Sequence, residues 1–414
     1  MRVAVVGAGI SGHTVAHALH GVHEVTVFEA ADYAGGHTNT ICVEAPEGPL
    51  QVDTGFIVFN DRNYPNFERL LERIGVASQP SNMSFGVSDG TGRFEYAANG
   101  INGLYAVRRH LLTPWFQRMV AEVPRFQRAC RALLASSDAG PSLRDWLAAE
   151  HFSDAFIQRL IVPQVAAVWS ADPNQLSSFP ARFLAEFFNN HGMLSLRDRP
   201  QWRVIAGGSQ AYVKALTAPF ADRIQLNSLV QTILRDKAGV TVKVRGRDPE
   251  RFDQVVIATH ADQALTMLAD ASDVEREILG AFPYQPNEAV LHTDTSVMPR
   301  RPHAWASWNY HLPQGAQSRS TVTYHMNRLQ TLQTTQDYLV TLNMTEAIDE
   351  AKIIAKVRYA HPVYSGEGVR AQARYQEVAG RHRTHFAGAY WGWGFHEDGV
   401  VSGLRVAAAL GGQL

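Results

Sequence analysis

Three glycines near the start of the chain have the spacing that nucleotide phosphates require. Gly7, Gly9 and Gly12 form the pattern Gly-x-Gly-x-x-Gly. The first permits a tight turn out of a strand, the second lets the backbone approach a pyrophosphate, and the third lets a helix pack closely on the sheet. Ile10 and Ser11 stand at the start of that helix, where unpaired N–H groups and partial positive charge attract phosphate.

The elements around these glycines are the ones that a dinucleotide needs. The apolar residues 2–6 predict a short buried strand, and the spacing of apolar residues after the glycines predicts a helix. A second strand over residues 24–28 ends in Glu29, where a carboxylate can accept hydrogen bonds from a ribose hydroxyl. A glycine-rich turn without a ligand would leave Glu29 unexplained. We therefore predict an adenine dinucleotide site on a Rossmann-like parallel sheet.

The composition bounds the class of protein. Of the 414 residues, 45% are hydrophobic and 19% charged, which is typical of a globular chain with a large core. The net charge of −1 argues against bulk binding of nucleic acid, which requires a strongly basic face. No apolar run approaches the roughly eighteen residues of a membrane-spanning helix, so we expect none.

Cysteine and histidine usage points away from metal. Cys42 and Cys130 form neither a metal spacing nor a disulfide framework, which favours a reducing cytoplasm. There are 17 histidines, but no histidine pair stands at helical spacing with further ligands, so we expect no metal site.

A second group of glycines distinguishes between the possible dinucleotides. It follows the ribose-binding acid within a few residues, and a third group comes at residues 52–56. A nicotinamide dehydrogenase has no need of them, whereas the cofactor of a flavin protein extends along the domain and meets the backbone again. We therefore predict FAD, with contacts from Gly35, Gly36, His37, Thr38, Thr54, Gly55 and Phe56.

With these segments the chain resembles the flavin amine oxidase and carotenoid desaturase superfamily. There a Gly-Gly-Arg-x-x-Ser/Thr segment follows the ribose-binding acid, and an Asp-x-Gly segment runs towards the flavin ring. His37 replaces the arginine here, so we expect any phosphate contact from this position to be absent or pH-dependent. The resemblance implies an α/β fold: a discontinuous, Rossmann-like FAD-binding domain of the glutathione reductase type, with an inserted α+β substrate domain.

Later segments extend the resemblance. By the family pattern Val230 contacts adenine through its backbone, and Ala258 ends a third strand of the flavin domain. Near the end of the chain come Gly388 and a loop that leads into a helix over residues 400–410. In the family an acid of this loop contacts the ribityl hydroxyls, and the helix start stabilises negative charge on the reduced flavin. The residues concerned here are His396, Glu397 and Asp398.

The scattered flavin segments predict two insertions. We assign residues 1–60, 200–265 and 375–414 to the FAD-binding domain, and residues 61–199 and 266–374 to the substrate domain. In the first insertion the pattern predicts helices over residues 64–74, 104–134, 142–150 and 181–189. In the second region it predicts helices over residues 262–268 and 344–356, and strands over residues 289–292 and 321–326.

Several insertion segments resemble one bacterial subgroup of the superfamily. They are residues 169–173, 179–180, 187–192, 199–203, 291–294 and 304–310. The subgroup consists of FAD-binding oxidoreductases that are encoded beside cyclopropane fatty acid synthases, which implies an association with lipid modification.

The sequence identifies no catalytic residue, because hydride transfer to a flavin needs mainly a C–H bond held against the ring. Of the histidines, His191 and His396 are the first to test. Aromatic residues that could line the ring are Phe56, Trp305, Trp308, Tyr310, Tyr390, Trp391 and Trp393, with Trp391 and Trp393 the strongest candidates. Many amine oxidases of the family carry a lysine near flavin N5, but residues 287–292 hold none, and no cysteine near Gly388 offers covalent attachment. We expect non-covalent FAD.

Residues 101–135 carry six arginines against one acid, with apolar and aromatic residues among them. A basic amphipathic helix of this kind can lie on a lipid surface, at the inner face of the membrane. The simpler alternative is a substrate-domain helix that packs on its neighbours, with its arginines in water.

Three functions remain open on the sequence alone. The first is an FAD-dependent oxidoreductase that moves a hydride from an apolar substrate, such as a lipid acyl chain, to flavin N5, with oxygen or a quinone as the final acceptor. The second is an amine oxidase that produces hydrogen peroxide. The third is a flavin-binding partner of a lipid-modifying enzyme, without catalysis of its own. The oligomeric state is left open.

Overall fold

The computed structural model describes residues 1–136, 140–169, 179–195, 199–313 and 319–414. Most of the subgroup segment at residues 169–173 therefore lies outside the described residues. In chain order the α-helices of the described part are α1 (Ile10–Leu19), α2 (Pro65–Arg73), α3 (Ile101–Leu104), α4 (Pro114–Ala135), α5 (Leu143–Ala149), α6 (Asp154–Phe156), α7 (Val162–Trp169), α8 (Ala181–Asn190), α9 (Gln210–Thr217), α10 (Ala261–Met267), α11 (Asp273–Gly280), α12 (Met326–Gln330), α13 (Gly366–Ala373) and α14 (His396–Ala409).

Strands alternate with these helices along the chain. They are β1 (Arg2–Val6), β2 (Glu24–Phe28), β3 (Thr40–Ala45), β4 (Gly48–Asp53), β5 (Phe59–Asn60), β6 (Ser78–Pro80), β7 (Phe85–Ser88), β8 (Glu95–Ala97), β9 (Trp202–Ile205), β10 (Ile224–Gln225), β11 (Val230–Arg235), β12 (Val240–Val244), β13 (Glu250–Phe252), β14 (Gln254–Ile257), β15 (Tyr284–His292), β16 (Trp308–His311), β17 (Val322–His325), β18 (Leu339–Leu342), β19 (Ile353–Pro362) and β20 (Thr384–Phe386).

The first strand is the centre of a five-stranded parallel sheet with the order β10-β2-β1-β14-β20. Its side chains alternate between two cores, as the period of a strand requires. Val3 and Val5 pack with α1 and α14 on one face, whereas Ala4 and Val6 pack on the other face with the antiparallel sheet β11-β12-β13. Because all five strands are parallel, their carboxyl ends meet at one edge, which is where ligands of such sheets bind.

A second sheet joins the two predicted insertions. Its order is β19-β15-β18-β17-β16-β7-β8, so two strands from the first insertion continue a sheet built from the second. Neighbouring strands are antiparallel except for β16 and β7, which are parallel. The proposed domain boundaries themselves stay a prediction.

Helices of the first insertion pack together into the largest core. On α4 the buried residues recur every three or four positions and form one apolar face. Phe126 of this face lies against Phe156 and Phe188, with ring centroids 5.6 and 6.0 Å apart. The mixed α/β architecture confirms the predicted fold class.

Three predicted elements were wrong in type or extent. Residues 344–356 do not form a helix: two short 3-10 turns are followed by β19, whose alternately exposed side chains fit a strand paired with β15. The predicted helix over residues 104–134 is divided, because a 3-10 turn at Arg108–Leu112 precedes Pro114 at the start of α4. The last helix begins at His396 rather than at residue 400, so the predicted loop acids belong to its first turn.

Candidate active site

A single long cavity of about 1700 Å³ begins at the glycine-rich turn after β1 and continues into the first insertion. One small-molecule pocket usually occupies about 300–1000 Å³, so this volume leaves room for a dinucleotide and a second molecule. We call the end at the parallel sheet the dinucleotide part and the end among the insertion helices the far part. The predicted site residues that line the cavity are Gly7, Gly9, Ile10, Ser11, Glu29, Gly35, Gly36, His37, Thr54, Gly55, Phe56, Val230, Ala258, Gly388 and His396.

The first glycines form a cradle with one open position. Gly7 has a φ of +103°, at which a residue with a side chain would be strained. A Cβ on Gly12 would lie 2.0 Å from the Gly7 carbonyl oxygen. A Cβ on Gly9 would meet nothing within 4 Å, because it would project into the cavity. No side chain caps the first turn of α1, and no acid lies in that turn. The N–H groups at this helix start are therefore available to a phosphate.

The carboxylate of Glu29 is held at the rim of this cradle. Its Oε2 accepts a hydrogen bond from Ala8 N at 2.8 Å, and its Oε1 accepts one from Ala31 N at 2.9 Å. Each oxygen keeps a further lone pair, and Glu29 lines the cavity. This is the position from which a ribose hydroxyl can be bound. Val230 lines the same part of the cavity, as the adenine contact requires.

The second glycine pair lies directly against the first. Gly36 has a φ of +61°, and a Cβ there would come within 3.1 Å of Gly9 Cα. Gly35 N donates to the Ala8 carbonyl at 2.8 Å. The third group follows on, since Phe56 N donates to the His37 carbonyl at 2.8 Å and a Cβ on Gly55 would lie 2.1 Å from the same oxygen. The three glycine groups thus form one continuous wall.

His37 cannot act as a substitute for the family arginine. Burial lowers its pKa to about 4, so the ring is neutral at pH 7. The ring stacks on Tyr359 at 4.9 Å and lies 5.2 Å from His361 and 6.1 Å from His260. The expected pH-dependent phosphate contact is therefore not available near neutrality, and His37 contributes shape rather than charge.

The start of α14 closes the cavity wall beside Phe56. The His396 ring stacks on Phe56 at 3.5 Å, and its Nε2 lies 2.8 Å from the Tyr212 hydroxyl and 3.0 Å from the Thr38 hydroxyl. Burial holds the pKa of His396 well below its usual range, so the ring is neutral. Thr38 itself does not line the cavity. Its hydroxyl lies 2.5 Å from the hydroxyl of Tyr212, a residue of α9, and so links His396 to that helix.

Neither acid of the first turn of α14 faces the cavity. Glu397 accepts hydrogen bonds from Asn66 N at 3.0 Å and Phe67 N at 2.9 Å, and so caps the start of α2. Asp398 is partly buried and accepts from Phe395 N at 2.9 Å, and desolvation raises its pKa to about 7. Backbone N–H groups take up both carboxylates in this structure, and the contact of these acids with the ribityl chain stays a prediction.

Gly388 and Ala258 stand in closely packed positions at the edges of the wall. A Cβ on Gly388 would lie 2.2 Å from the Tyr390 ring, so that position cannot hold a larger residue. Ala258 faces the turn at Gly7, where its carbonyl oxygen would lie 2.9 Å from an added Cβ.

The far part of the cavity is mostly apolar, although Gln127, Gln164, His191 and Arg199 also line the cavity. One face of α4 contributes Met119, Val120, Val123 and Phe126, and α8 contributes Phe187 and Phe188. The second sheet adds Phe85, Tyr96, Trp308, Tyr324 and Leu342. The carboxylates among the described lining residues are Glu29 and Asp262, and Asp262 stands in α10, which packs in the same core as Val230.

Only some of the aromatic residues expected to line the flavin ring line the cavity. Phe56, Trp308 and Tyr390 line the cavity, whereas the favoured Trp391 and Trp393 do not, nor do Trp305 and Tyr310. Trp391 packs instead against Tyr375 at 4.9 Å. Tyr359 and His361, both on β19, line the cavity and were missed. The alternating pattern of β19 was the available signal, but its first four residues were included in the helix predicted over residues 344–356, and no element was predicted for the rest.

The described residues hold neither a cluster of metal ligands nor a helix that could span a membrane. In the described ranges no group of three or more His, Cys, Asp and Glu side chains is placed to hold a metal ion. Within the same ranges no helix has both the length and the apolar character needed to cross a bilayer.

The parallel sheet, the open phosphate cradle and the long extension of the cavity define an FAD-binding protein of the Rossmann type. A model of the family described as flavin containing amine oxidoreductase matches residues 10–411, and the chain belongs to that family. Its cofactor is FAD, and neither of the chain's cysteines, Cys42 and Cys130, lines the cavity.

Individual relatives are distant. The flavin-containing monoamine oxidase AofH of Mycobacterium tuberculosis is 26% identical over 253 residues, which is 58% of this chain and 53% of that protein. The chain thus spans about half the length of the curated relatives it matches. Cyclohexylamine oxidase from Brevibacterium oxydans has the same fold, with a TM-score of 0.71 at 19% identity over 99% of this chain and 98% of that one. A fatty acid isomerase from P. acnes that produces CLA also scores 0.71, at 17% identity over the same shares.

Proposed function

We propose that this protein is an FAD-dependent dehydrogenase of an apolar substrate, most simply a lipid acyl chain, and that it works at the cytoplasmic side of the membrane. The observation that carries the proposal is the apolar wall of the far part, which α4, α8 and the second sheet build. A hydrocarbon chain buries apolar surface there at about 25 cal/mol per Å². The resemblance to a subgroup encoded beside cyclopropane fatty acid synthases supports the same substrate class.

Charge in the cavity argues in the same direction. The described carboxylates of the lining, Glu29 and Asp262, belong to the dinucleotide part. A protonated amine in the far part would therefore have no described carboxylate as a partner, and burying an unpaired ammonium is costly. The exposed Arg199 also lines the cavity and favours an anionic group over a cationic one.

The chain's own residues orient the substrate and exclude water. When bound, FAD supplies the two-electron oxidation: a hydride from one carbon of the acyl chain and a proton from the next leave a double bond between them, and oxygen or a quinone takes up the electrons. Phe126, Phe156 and Phe188 form a packed wall that keeps the hydrocarbon against the cofactor end. Holding a C–H bond at the correct distance and angle supplies much of the rate in such reactions.

His191 is placed where the far part approaches α14. Its ring stacks on Phe187 at 3.9 Å and lies 5.9 Å from the ring of Phe395, the residue before α14. Nδ1 lies 2.9 Å from the Phe187 carbonyl oxygen and so donates to it, which leaves the Nε2 lone pair as an acceptor. Burial lowers the pKa of His191 to about 4, so the ring stays neutral. In the proposed reaction the Nε2 lone pair of His191 takes up the proton that leaves the acyl chain.

An amine substrate is the second candidate, because one observation favours it. The Trp308 and Tyr324 rings meet edge to face at 4.9 Å, and both line the far part. Aromatic faces can bind a cationic amine by about 0.5–2 kcal/mol. The fold shared with cyclohexylamine oxidase is compatible with this alternative.

The substrate class is tested by product analysis with two matched variants of α4. The FAD-loaded protein is incubated with acyl lipids in detergent micelles, and the recovered lipid is examined by mass spectrometry for the loss of two hydrogen atoms. We expect Val123→Trp, which fills the far part, to abolish this product, and Ala121→Trp, on the exposed face of the same helix, to retain it. Unchanged lipid together with an aldehyde from an amine would contradict the proposal.

A further inference from the structure

We propose that residues 100–118 form a docking surface for an anionic lipid bilayer, beside the opening of the far part of the cavity. This surface is called the rim segment below. The inference rests on the proposed function for its purpose, the delivery of a membrane lipid, but its evidence is separate.

The rim segment concentrates exposed apolar side chains. Within fifteen residues, Ile101 is 78% exposed, Leu111 51%, Leu112 90% and Trp115 39%. The other large apolar side chains that are exposed in the described ranges are spread over the rest of the chain. Single exposed apolar residues are ordinary, whereas a cluster on a folded surface marks a site of interaction.

The apolar side chains are held outward by a built turn. Leu111 and Leu112 belong to the 3-10 turn Arg108–Leu112, which packs against the first turns of α4. The Gln117 side chain donates to the carbonyls of His110 at 2.8 Å and Leu111 at 3.2 Å, and it accepts from the Tyr105 hydroxyl at 3.1 Å. The conformation that exposes the leucines is thus fixed by hydrogen bonds.

Positive charge surrounds this apolar surface. Residues 96–121 include Arg108, Arg109 and Arg118 and no aspartate or glutamate, although the chain as a whole has a net charge of −1. All three arginines are exposed. Arg108 donates to the Tyr105 carbonyl and the Asn102 side chain, and Arg109 donates to the Arg93 carbonyl, so both keep their charge without a described carboxylate partner.

Nearby acids leave Arg108 and Arg109 without a described carboxylate partner, whereas Arg118 is paired with Glu122. Glu95 is fully buried and is bound by the Arg301 side chain at 3.0 Å and by the backbone N of Arg300. Glu122 is buried between Arg118 at 3.3 Å and Arg125 at 3.5 Å. Exposed apolar side chains beside Arg108 and Arg109, two arginines with no described carboxylate partner, match the interface of an anionic bilayer, where hydrocarbon and phosphate lie side by side.

The rim segment is continuous with the cavity. Gly100, Ile101 and Leu104 line it, and because Ile101 is also 78% exposed, it lies where the cavity meets the surface. One turn beyond Trp115 on α4, Met119 and Val120 already line the far part. A lipid chain that enters beside Ile101 would therefore remain in contact with apolar side chains.

Vesicle flotation of the FAD-loaded protein tests the docking surface. We expect flotation with phosphatidylcholine vesicles that contain phosphatidylglycerol, reversal by salt, and little flotation with phosphatidylcholine alone. The double variant Leu111→Ser and Leu112→Ser should bind at least about tenfold more weakly, and Arg108→Gln with Arg109→Gln should lose about fivefold per arginine. Leu234→Ser is the matched control, because Leu234 is as exposed as Leu111, at 51%, and lies outside the rim segment.

Two results would overturn the inference. One is the absence of flotation with both kinds of vesicle. The other is binding that the leucine variant retains in full, since it would indicate attraction to any acidic partner rather than insertion into lipid. Flotation requires no turnover, so a protein that floats but does not oxidise lipid refutes the proposed function alone. A protein that oxidises micellar lipid but does not float refutes only the docking surface.

Discussion

At the scale of single residues, two glycines of the phosphate cradle differ in what an added methyl group would meet. At Gly12 the methyl group would collide with the backbone of Gly7, whereas at Gly9 it would enter open cavity. Gly12 therefore serves the packing of the helix on the sheet, and Gly9 serves access of the ligand, although both belong to one sequence pattern.

This difference predicts opposite phenotypes. Gly9→Ala should fold normally but bind FAD at least about tenfold more weakly, because its methyl group occupies the path of the pyrophosphate. Gly12→Ala should be unstable even without cofactor, since a contact of 2.0 Å cannot be relieved without separating α1 from β1. Gly21→Ala, where the added atom meets nothing within 4 Å, is the control. Apoprotein melting temperatures and FAD titrations separate the two effects, and equal FAD affinity in Gly9→Ala and the wild type would refute the assignment.

At the scale of elements, the first turn of α14 joins three parts of the fold. His396 reaches Thr38 and Tyr212, Glu397 caps α2, and Asp398 binds the backbone before its own helix. The helix start is therefore placed beside Phe56 by contacts with elements that lie far apart in sequence.

Glu397→Ala tests whether this acid serves the fold or the cofactor. Loss of the cap on α2 should lower the free energy of unfolding by about 1–2 kcal/mol, and FAD affinity should stay within about twofold of the wild type. Glu367→Ala, an exposed acid in the first turn of α13, provides the comparison. Chemical denaturation and FAD titration give the two quantities. A large loss of FAD affinity without a loss of stability would restore the ribityl contact that the family pattern implies.

The same helix start shows what the sequence could and could not predict. Gly7, Gly9, Gly12 and Glu29 were found because their roles depend on neighbours within one strand–turn–helix unit. The role of Glu397 was not found, because its partners at Asn66 and Phe67 lie 331 and 330 residues away. Local spacing carries no information about such contacts.

The error at residues 344–356 has a related cause. Short apolar runs do not distinguish a helix from a strand by period alone. β19 is a strand because β15 is available to pair with it along nine residues, from Tyr284–Pro362 to His292–Ile353. Tyr359 and His361 lie in the part of β19 beyond residue 356, for which no element was predicted, and so were missed as cavity residues.

At the scale of the whole molecule, burial of histidine shapes the dependence of stability on pH. Burial lowers the pKa values of seven histidines to about 4 or 3, namely His13, His37, His191, His260, His292, His311 and His361. Between pH 6.5 and about 4 the unfolded chain binds more protons at these histidines than the folded chain does. Their contribution to the free energy of unfolding is therefore full above pH 6.5 and is lost as the pH falls towards 4. The raised pKa values of Asp53, about 6, and Asp398, about 7, act in the opposite sense but are fewer.

We therefore expect the free energy of unfolding to fall steeply from pH 6.5 towards pH 4. His13 offers a direct test, because it is fully buried and neither ring nitrogen has a described hydrogen-bond partner. His13→Leu should be more stable than the wild type at pH 5 by about 2 kcal/mol beyond any difference at pH 7.5. Urea denaturation at the two pH values measures this, and an equal difference at both would show that His13 does not titrate as described.

The whole molecule also brings its two large sheets to one cavity. The parallel sheet provides the dinucleotide part, and the second sheet with α4 and α8 provides the apolar far part. The central claim is that this arrangement presents hydrocarbon, not an amine, to bound FAD.

Anaerobic mixing of the FAD-loaded protein with an acyl lipid tests that claim most directly, with the visible absorbance of oxidised flavin as the signal. We predict that the lipid bleaches the absorbance, that Val123→Trp slows the bleaching at least about tenfold, and that cyclohexylamine and putrescine leave the flavin oxidised. Rapid bleaching by the amines, with no bleaching by any acyl lipid, would contradict the account.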